Sequence, residues 1–326
     1  MNMINILFIL AINHYTGVTT WAYELIKGLK QFNVDVIFVS SDPYFISNKE
    51  YIKDISLHSN VIESLDYSIK YDVVFLHNTQ HENISKKIGK KTIFVSHGSM
   101  VNSASPKLKH DMHIAVSGRS KYVLGSDIFI LNGIDLDKFR GNKLLNKIPK
   151  KCLYHSRIQP QKFVYEACEE LNIELDCWKV IQKKVTDKIN ESDFVMGYGR
   201  SVYEAMSMGK PVLVFGHNSP TNKNKLKSTG ISSNVEDGFS DGWIDENNFK
   251  KLLYRNCCGW AKKIYIDNKN DMVDLIMGYD YKMGNVNRRL AEEHLSSQTM
   301  VNSFTNVIKE LYYAKGNKRI KEKGNI

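Results

Sequence analysis

Residues 197–211 read Gly-Tyr-Gly-Arg-Ser-Val-Tyr-Glu-Ala-Met-Ser-Met-Gly-Lys-Pro, and these types suit a phosphorylated ligand. The glycines permit a tight turn and a close approach of backbone to ligand. The spacing after them predicts a helix over 201–208, and a helix start offers N–H groups and a positive dipole end to a phosphate. Glu204 falls one turn in. There a carboxylate can accept hydrogen bonds from two vicinal hydroxyls, such as those of a ribose. Gly199, Arg200, Ser201, Val202 and Glu204 are therefore candidates for holding a nucleoside diphosphate. An ordinary strand, turn and helix with an exposed glutamate would contain the same glycines, and the spacing alone leaves both readings open.

Arg157 and Lys162 follow the apolar run 152–155. Open α/β sheets bind ligands just past the C-terminal ends of such strands. When a sugar leaves a nucleoside diphosphate, negative charge grows on the phosphates, and fixed cations there lower the barrier without a metal. Arg offers a bidentate fork and Lys a compact charge. Two solvated surface cations are the alternative. In the first half, His97 follows another apolar run. An imidazole there can donate to a sugar hydroxyl or relay a proton; a capping or core histidine would look the same. His77 ends a third run and reads more readily as structural. His14, with Tyr15 and Thr16, lies in the loop before Gly17, where it could touch an acceptor. Ser117 reads as a helix cap.

These residues need a scaffold that gathers strand ends. Apolar, β-rich runs at 5–11, 34–40, 72–77, 92–96, 114–117 and 128–131 alternate with helical patterns such as 19–31, where Trp21, Leu25, Ile26 and Leu29 share a face. That alternation predicts parallel sheets in an α/β architecture. The cycle restarts at 152–155, with a helix over 163–171 and a strand over 173–178. Phe194 and Val195 lead into the glycine turn, 211–215 is the next strand, and 287–313 is the last long helix. The polar, basic stretch 137–150 is the expected linker. A length of 326 residues suits two domains.

The charge balance, 45 − 35 = +10, points to an anionic partner or simply to solubility. Lysines gather at 86–91, at 143–151 and in the tail 315–323. No aromatic-studded basic stripe, helix-turn-helix or zinc-finger spacing supports nucleic acid. Five cysteines without a C-x-x-C pattern fit a reduced, cytosolic compartment. The apolar start 4–12 lacks a basic lead-in and a cleavage site and reads as a buried strand. No run reaches the roughly 18 apolar residues of a membrane span. No acidic metal motif stands out, so the site is expected to be metal-independent and without a cofactor.

The motifs resemble those of glycosyltransferase family 4, also called glycosyl transferases group 1. Glu204, Ala205, Met206, Gly209, Pro211 and Val212 match its donor motif. Arg157, Pro160 and Lys162 match the opening of its second domain, with Ser156 and Phe163 in place of two glycines. Asp72, Val73, Val74, His77 and Asn78 resemble its Asp-Val-Val-x-x-His motif, and His97 with Gly98 resembles a turn after a strand. Gly17 sits where the family has its Gly-rich acceptor loop. Asn132, Gly133, Ile134, Asp135 and Phe139 match its Asn-Gly-Ile-Asp-x-x-x-Phe signature. Two departures stand out. The family carries a second glutamate eight positions before the donor glutamate, where this chain has Met196. The second domain is also short between Lys162 and Glu204, as if a βα pair were missing.

The resemblance implies an α/β fold of the GT-B type: two Rossmann-like domains facing a central cleft, with a C-terminal helix crossing back to the first. The expected divisions are 1–138, a donor domain at 151–296, the returning helix 297–314 and a basic tail 315–326. It implies a glycosyltransferase that uses a nucleoside diphosphate sugar as donor substrate, with retention of configuration. His97, Arg157 and Lys162 would act at the reacting centre, and Gly199, Arg200, Ser201, Val202 and Glu204 would bind the donor. Gly17, His14 and His77 would face the acceptor. A glycan or lipid-linked glycan is the expected acceptor, in the cytoplasm or at the inner face of an anionic membrane. Hydroxylated bases in DNA, as used by some phage glycosyltransferases, are an alternative. So are another GT-B enzyme, such as an epimerase or phosphorylase, and a sugar-nucleotide-binding protein without transfer activity.

Overall fold

The apolar runs become the inner strands of two sheets in the computed structural model of the chain, which describes residues 3–11, 16–39, 49–77, 79–97, 105–156, 159–178, 185–217, 238–250 and 264–314. The chain divides into two compact units: Met1–Gly133 with Ser297–Ile326, and Ile134–Ser296.

The first unit contains β1 (Asn5–Leu10), α1 (Gly17–Gly28), β2 (Asn33–Phe38), α2 (Lys49–Ser56), β3 (Asn60–Ile62), β4 (Tyr71–Leu76), α3 (Glu82–Ile88), β5 (Gly89–Ser96), β6 (Met112–Ala115), α4 (Gly118–Leu124) and β7 (Ile128–Phe129). Its sheet has seven strands in the order β3-β2-β1-β4-β5-β6-β7, all parallel. The order reverses between β1 and β4, the position at which open α/β sheets form a ligand crevice. Every residue of β4 is buried, as a strand covered on both faces requires. The rings of Phe8 and Phe75 stack at 4.6 Å across the β1–β4 pair. The start of α1 is set by a capping box: Thr16 Oγ1 accepts from Thr19 N at 3.2 Å, and Thr19 Oγ1 accepts from Thr16 N at 2.7 Å. Ser117 caps α4 as expected, accepting from Ser120 N at 3.1 Å.

The second unit contains β8 (Lys151–His155), α5 (Lys162–Glu170), β9 (Glu174–Trp178), α6 (Val185–Glu191), β10 (Phe194–Gly197), α7 (Arg200–Ser207), β11 (Val212–His217), β12 (Gly238–Trp243), β13 (Ile264–Ile266), α8 (Lys269–Met277) and α9 (Met283–His294). The sheet order is β13-β12-β11-β10-β8-β9. The strands from β9 to β11 are parallel, but β12 and β13 pair antiparallel. This mixed edge departs from the expected pair of similar halves. Its register shifts between Val214 and Phe215, opposite Gly242 at φ +83°.

The last helix, α10 (Ser297–Tyr313), belongs to the first unit. Phe304 meets Trp21 at 5.6 Å and Phe75 at 5.9 Å. Val301 lies so close to Gly28 that a Cβ there would collide with it. The single helix expected over 287–313 is thus two, α9 and α10. Leu295 and Ser296 leave the helical path because Leu295 O accepts from Ile134 N at 2.7 Å and Ser296 bridges to Ile134.

The stretch 137–150 has no strand, as expected, yet it groups with the second unit instead of standing between two domains. Asn190 Oδ1 accepts from Asn142 N and Lys143 N, and the buried Asp193 accepts from Lys150 N, Lys151 N, Asn146 Nδ2 and Lys143 Nζ. Burial pushes the Asp193 carboxyl up, but these donors outweigh it and hold the group below its ordinary value. Cys152, Cys168 and Cys177 are free thiols. No helix among the described residues is long and apolar enough to cross a membrane.

Candidate functional site

In the second unit β8 and β10 lie side by side, and His155 is the register partner of Gly197. Gly197 allows that closeness: a Cβ there would stand 2.6 Å from Ser201 Oγ and 3.0 Å from His155 O. Ser201 Oγ itself donates to Tyr198 O at 2.8 Å, which folds the turn back on the first residues of α7. Gly199 caps α7 at φ +65° and ψ −136°, a conformation that side-chain-bearing residues avoid. Among the described residues nothing lies within 4 Å of where its Cβ would be. The helix therefore begins beside open space, without an acidic residue in its first turn. Val202, Tyr203, Ala205 and Met206 are fully buried and anchor it.

Above this turn Arg200 Nε donates to Glu204 Oε1 at 2.9 Å. The other carboxylate oxygen, Oε2, lies 4.0 Å from His155 Nδ1. All three side chains are largely enclosed, at 14% exposed for Arg200, 11% for Glu204 and 15% for His155. Burial lowers the His155 pKa, with Glu204 opposing the shift. This cluster unites Arg200 and Glu204 as expected and adds His155, which the sequence reading missed. Its only signal was a polar residue at the end of an apolar run, the place where strand ends gather ligands.

Lys162, another expected donor-side cation, does not join the cluster. Lys162 opens α5 with its side chain 90% exposed and pairs with Glu166 at 2.7 Å. That is the behaviour of a solvated surface cation. Arg157 lies outside the described residues. Met196, where the resemblance placed an acid, is a core residue at 0% exposure, packed with Cys152, Tyr154 and Phe215. The strand β10 runs straight into the glycine turn, so position 196 points inward, where a carboxylate would be buried without a partner.

In the first unit His97 follows β5 and His77 follows β4. His77 Nε2 accepts from Ala11 N at 3.3 Å, which fixes its ring beside the end of β1. His97 meets the Trp21 ring edge at 4.7 Å and the His77 ring at 6.0 Å. Its Nε2 is enclosed without a hydrogen-bond partner among the described residues. Burial lowers His77 to about 4. Burial, and then His77, push His97 well below its ordinary value. Both rings are neutral at physiological pH and suit hydrogen bonding better than charge transfer. Gly17 is an exposed residue at the first position of α1, with no described residue within 4 Å of a Cβ built there. His14, Asn78 and Gly98 lie outside the described residues.

No protein-family model matches the chain. No curated protein matches it in sequence. Among solved structures it is similar to Alr3699/HepE of Anabaena in complex with UDP-glucose, at 12% identity over 94% of this chain and 99% of that one, with a TM-score of 0.61. It is also similar to a glycosyltransferase from Rickettsia africae ESF-5, at 14% identity over 97% and 100% of the two chains, with a TM-score of 0.58. A third likeness is to AviGT4, a glycosyltransferase involved in avilamycin A biosynthesis, at 13% identity over 96% and 99%, with a TM-score of 0.53. At these identities the likeness is one of fold, and the chain has the α/β fold of GT-B glycosyltransferases.

Proposed function

We propose that the chain is a glycosyltransferase that moves a sugar from a nucleoside diphosphate sugar to an acceptor hydroxyl. The observation that carries this reading is the cluster at the start of α7: a bare glycine turn, a helix start and the Arg200–Glu204 pair at 2.9 Å. The diphosphate lies against the Gly199 turn, and Glu204 accepts from the ribose hydroxyls. Arg157, two residues after β8 in the sequence, stabilises the charge that grows on the leaving phosphate. The acceptor hydroxyl is directed by the neutral His97. Family 4 membership, retention and metal independence belong to this proposal and rest on the motifs Glu204–Ala205–Met206 and Gly209–Lys210–Pro211.

A glycan or lipid-linked glycan is the proposed acceptor. Leu144 and Ile148 are 92% and 76% exposed beside the exposed Lys147 and Lys150, a mixture suited to an anionic membrane surface. Free thiols are consistent with a cytoplasmic location. The direct test is nucleotide-sugar turnover against a panel of glycolipid, glycan and hydroxymethylated DNA, in wild type and Glu204→Ala. Turnover should fall about a hundredfold in the variant, the scale of losing two hydrogen bonds to a charged group. Wild-type turnover in Glu204→Ala would sink the reading. Tight nucleotide binding without turnover on any acceptor would favour a binding protein, a reading that the buried Met196 supports.

A further inference from the structure

Glu204 has two carboxylate oxygens, and the structure treats them differently. Oε1 is held by Arg200 Nε at 2.9 Å. Oε2 faces His155 Nδ1 across 4.0 Å, too far for a direct hydrogen bond. The imidazole atom on the other side of that gap is buried and has no hydrogen-bond partner among the described residues. An enclosed polar atom without a partner costs the desolvation of that group, and a ligand that supplied the partner would recover it. The ring is also fixed in place, because His155 ends β8 in register with Gly197 and its carbonyl abuts that glycine. The gap thus lies at the same strand-end level as the turn through Gly199, whose Cβ side is open.

A hydroxyl group can bridge this gap once the side chains that enclose Nδ1 move aside. An oxygen about 2.8 Å from each partner would see them at an angle near 90° or slightly wider after small side-chain shifts. It would donate its proton to Glu204 Oε2 and accept from the Nδ1–H of His155. We propose that His155 and Glu204 together clamp one hydroxyl of the ligand held at the Gly199 turn, with His155 as the residue that selects a ligand carrying that hydroxyl. This rests on the nucleoside diphosphate reading, under which the hydroxyl is one of the two on the ribose. Arg200 then orients Glu204, leaving Oε2 for the ligand.

The test is calorimetric titration of the full chain with UDP and GDP and with their 2′-deoxy and 3′-deoxy forms. Wild type should bind one of the two nucleotides and lose roughly tenfold in affinity for the deoxy form that lacks the clamped hydroxyl. His155→Leu should lose a similar factor for the ribonucleotide and nothing further for that same deoxy form. His155→Asn, whose amide N–H reaches close to the position of Nδ1, should stay within about threefold of wild type for the ribonucleotide. Far-ultraviolet circular dichroism and thermal midpoints confirm that the variants fold. The clamp is overturned if His155→Leu weakens all forms equally, if it weakens none, or if wild type tolerates both deoxy forms. Failure of wild type to bind any of the six nucleotides would instead overturn the functional reading itself.

Discussion

The strand ends of the two units carry contrasting chemistry. In the first, His77 and His97 are neutral rings, His97 edge-on to Trp21, and burial keeps protons off them. In the second, Arg200 and Glu204 pair over a bare glycine turn with open space beside it. The difference follows from what each neighbourhood can solvate. Aromatic walls favour an uncharged hydrogen-bonding group, while an uncapped helix start and a cation favour a charged ligand. Under the proposed function, one unit directs a hydroxyl and the other holds phosphates. Variants in the first should therefore change turnover more than nucleotide affinity, and variants in the second the reverse.

The largest expected contrast is in pH dependence. An unfolded histidine titrates near 6.5, and burial holds His77 at about 4 in the folded unit. Stability from this ring is complete above roughly 6.5 and is lost as pH falls toward 4, because the unfolded chain takes up a proton that the folded unit refuses. Over that window His77 should remove about 3 kcal/mol. Urea unfolding of wild type and His77→Asn at several pH values measures it, and parallel pH profiles would break the contrast. Two glycines sharpen it next. Both Gly17 and Gly199 have room for a Cβ, but only Gly199 has a positive φ. Gly199→Ala should cost about 1–3 kcal/mol and weaken nucleotide binding, whereas Gly17→Ala should be neutral or stabilising by up to about 1 kcal/mol. Thermal midpoints with and without nucleotide separate the two.

Smaller effects locate the edges of each site. His97→Phe keeps a ring against Trp21 and removes the nitrogens. Turnover should drop about tenfold with nucleotide affinity unchanged; a loss of affinity instead would move His97 to the donor side. Lys162→Ala should change turnover less than about twofold, since the side chain is solvated and paired with Glu166. A large loss, seen in steady-state kinetics, would return Lys162 to the reacting centre.

The continuous runs of β1, β4 and β5 were legible because strands covered on both faces cannot alternate. The glycine turn, Arg200 and Glu204 were legible because helix starts carry local signals. The antiparallel edge was not. β12 reads Gly-Phe-Ser-Asp-Gly-Trp, with two glycines and no apolar alternation, and its pairing is set by β11 instead of by its own propensity. The helical pattern over 287–313 did not show the break at Leu295 and Ser296, whose partner Ile134 lies far away in sequence; only the resemblance placed a boundary at 296. His155 was missed for the same reason: its meaning depends on Glu204, which only the β8–β10 register brings near.

The docking of α10 on Trp21 and Phe75 bears on how the chain is made. The first unit is written in two pieces, with the whole second unit between them. A ribosome delivers the seven parallel strands early and Phe304 only after the whole second unit. At ordinary elongation rates the intervening stretch takes on the order of ten to thirty seconds. Throughout that interval Trp21 and Phe75 lack the cover of α10, so the nascent first unit keeps an apolar face exposed until that helix emerges.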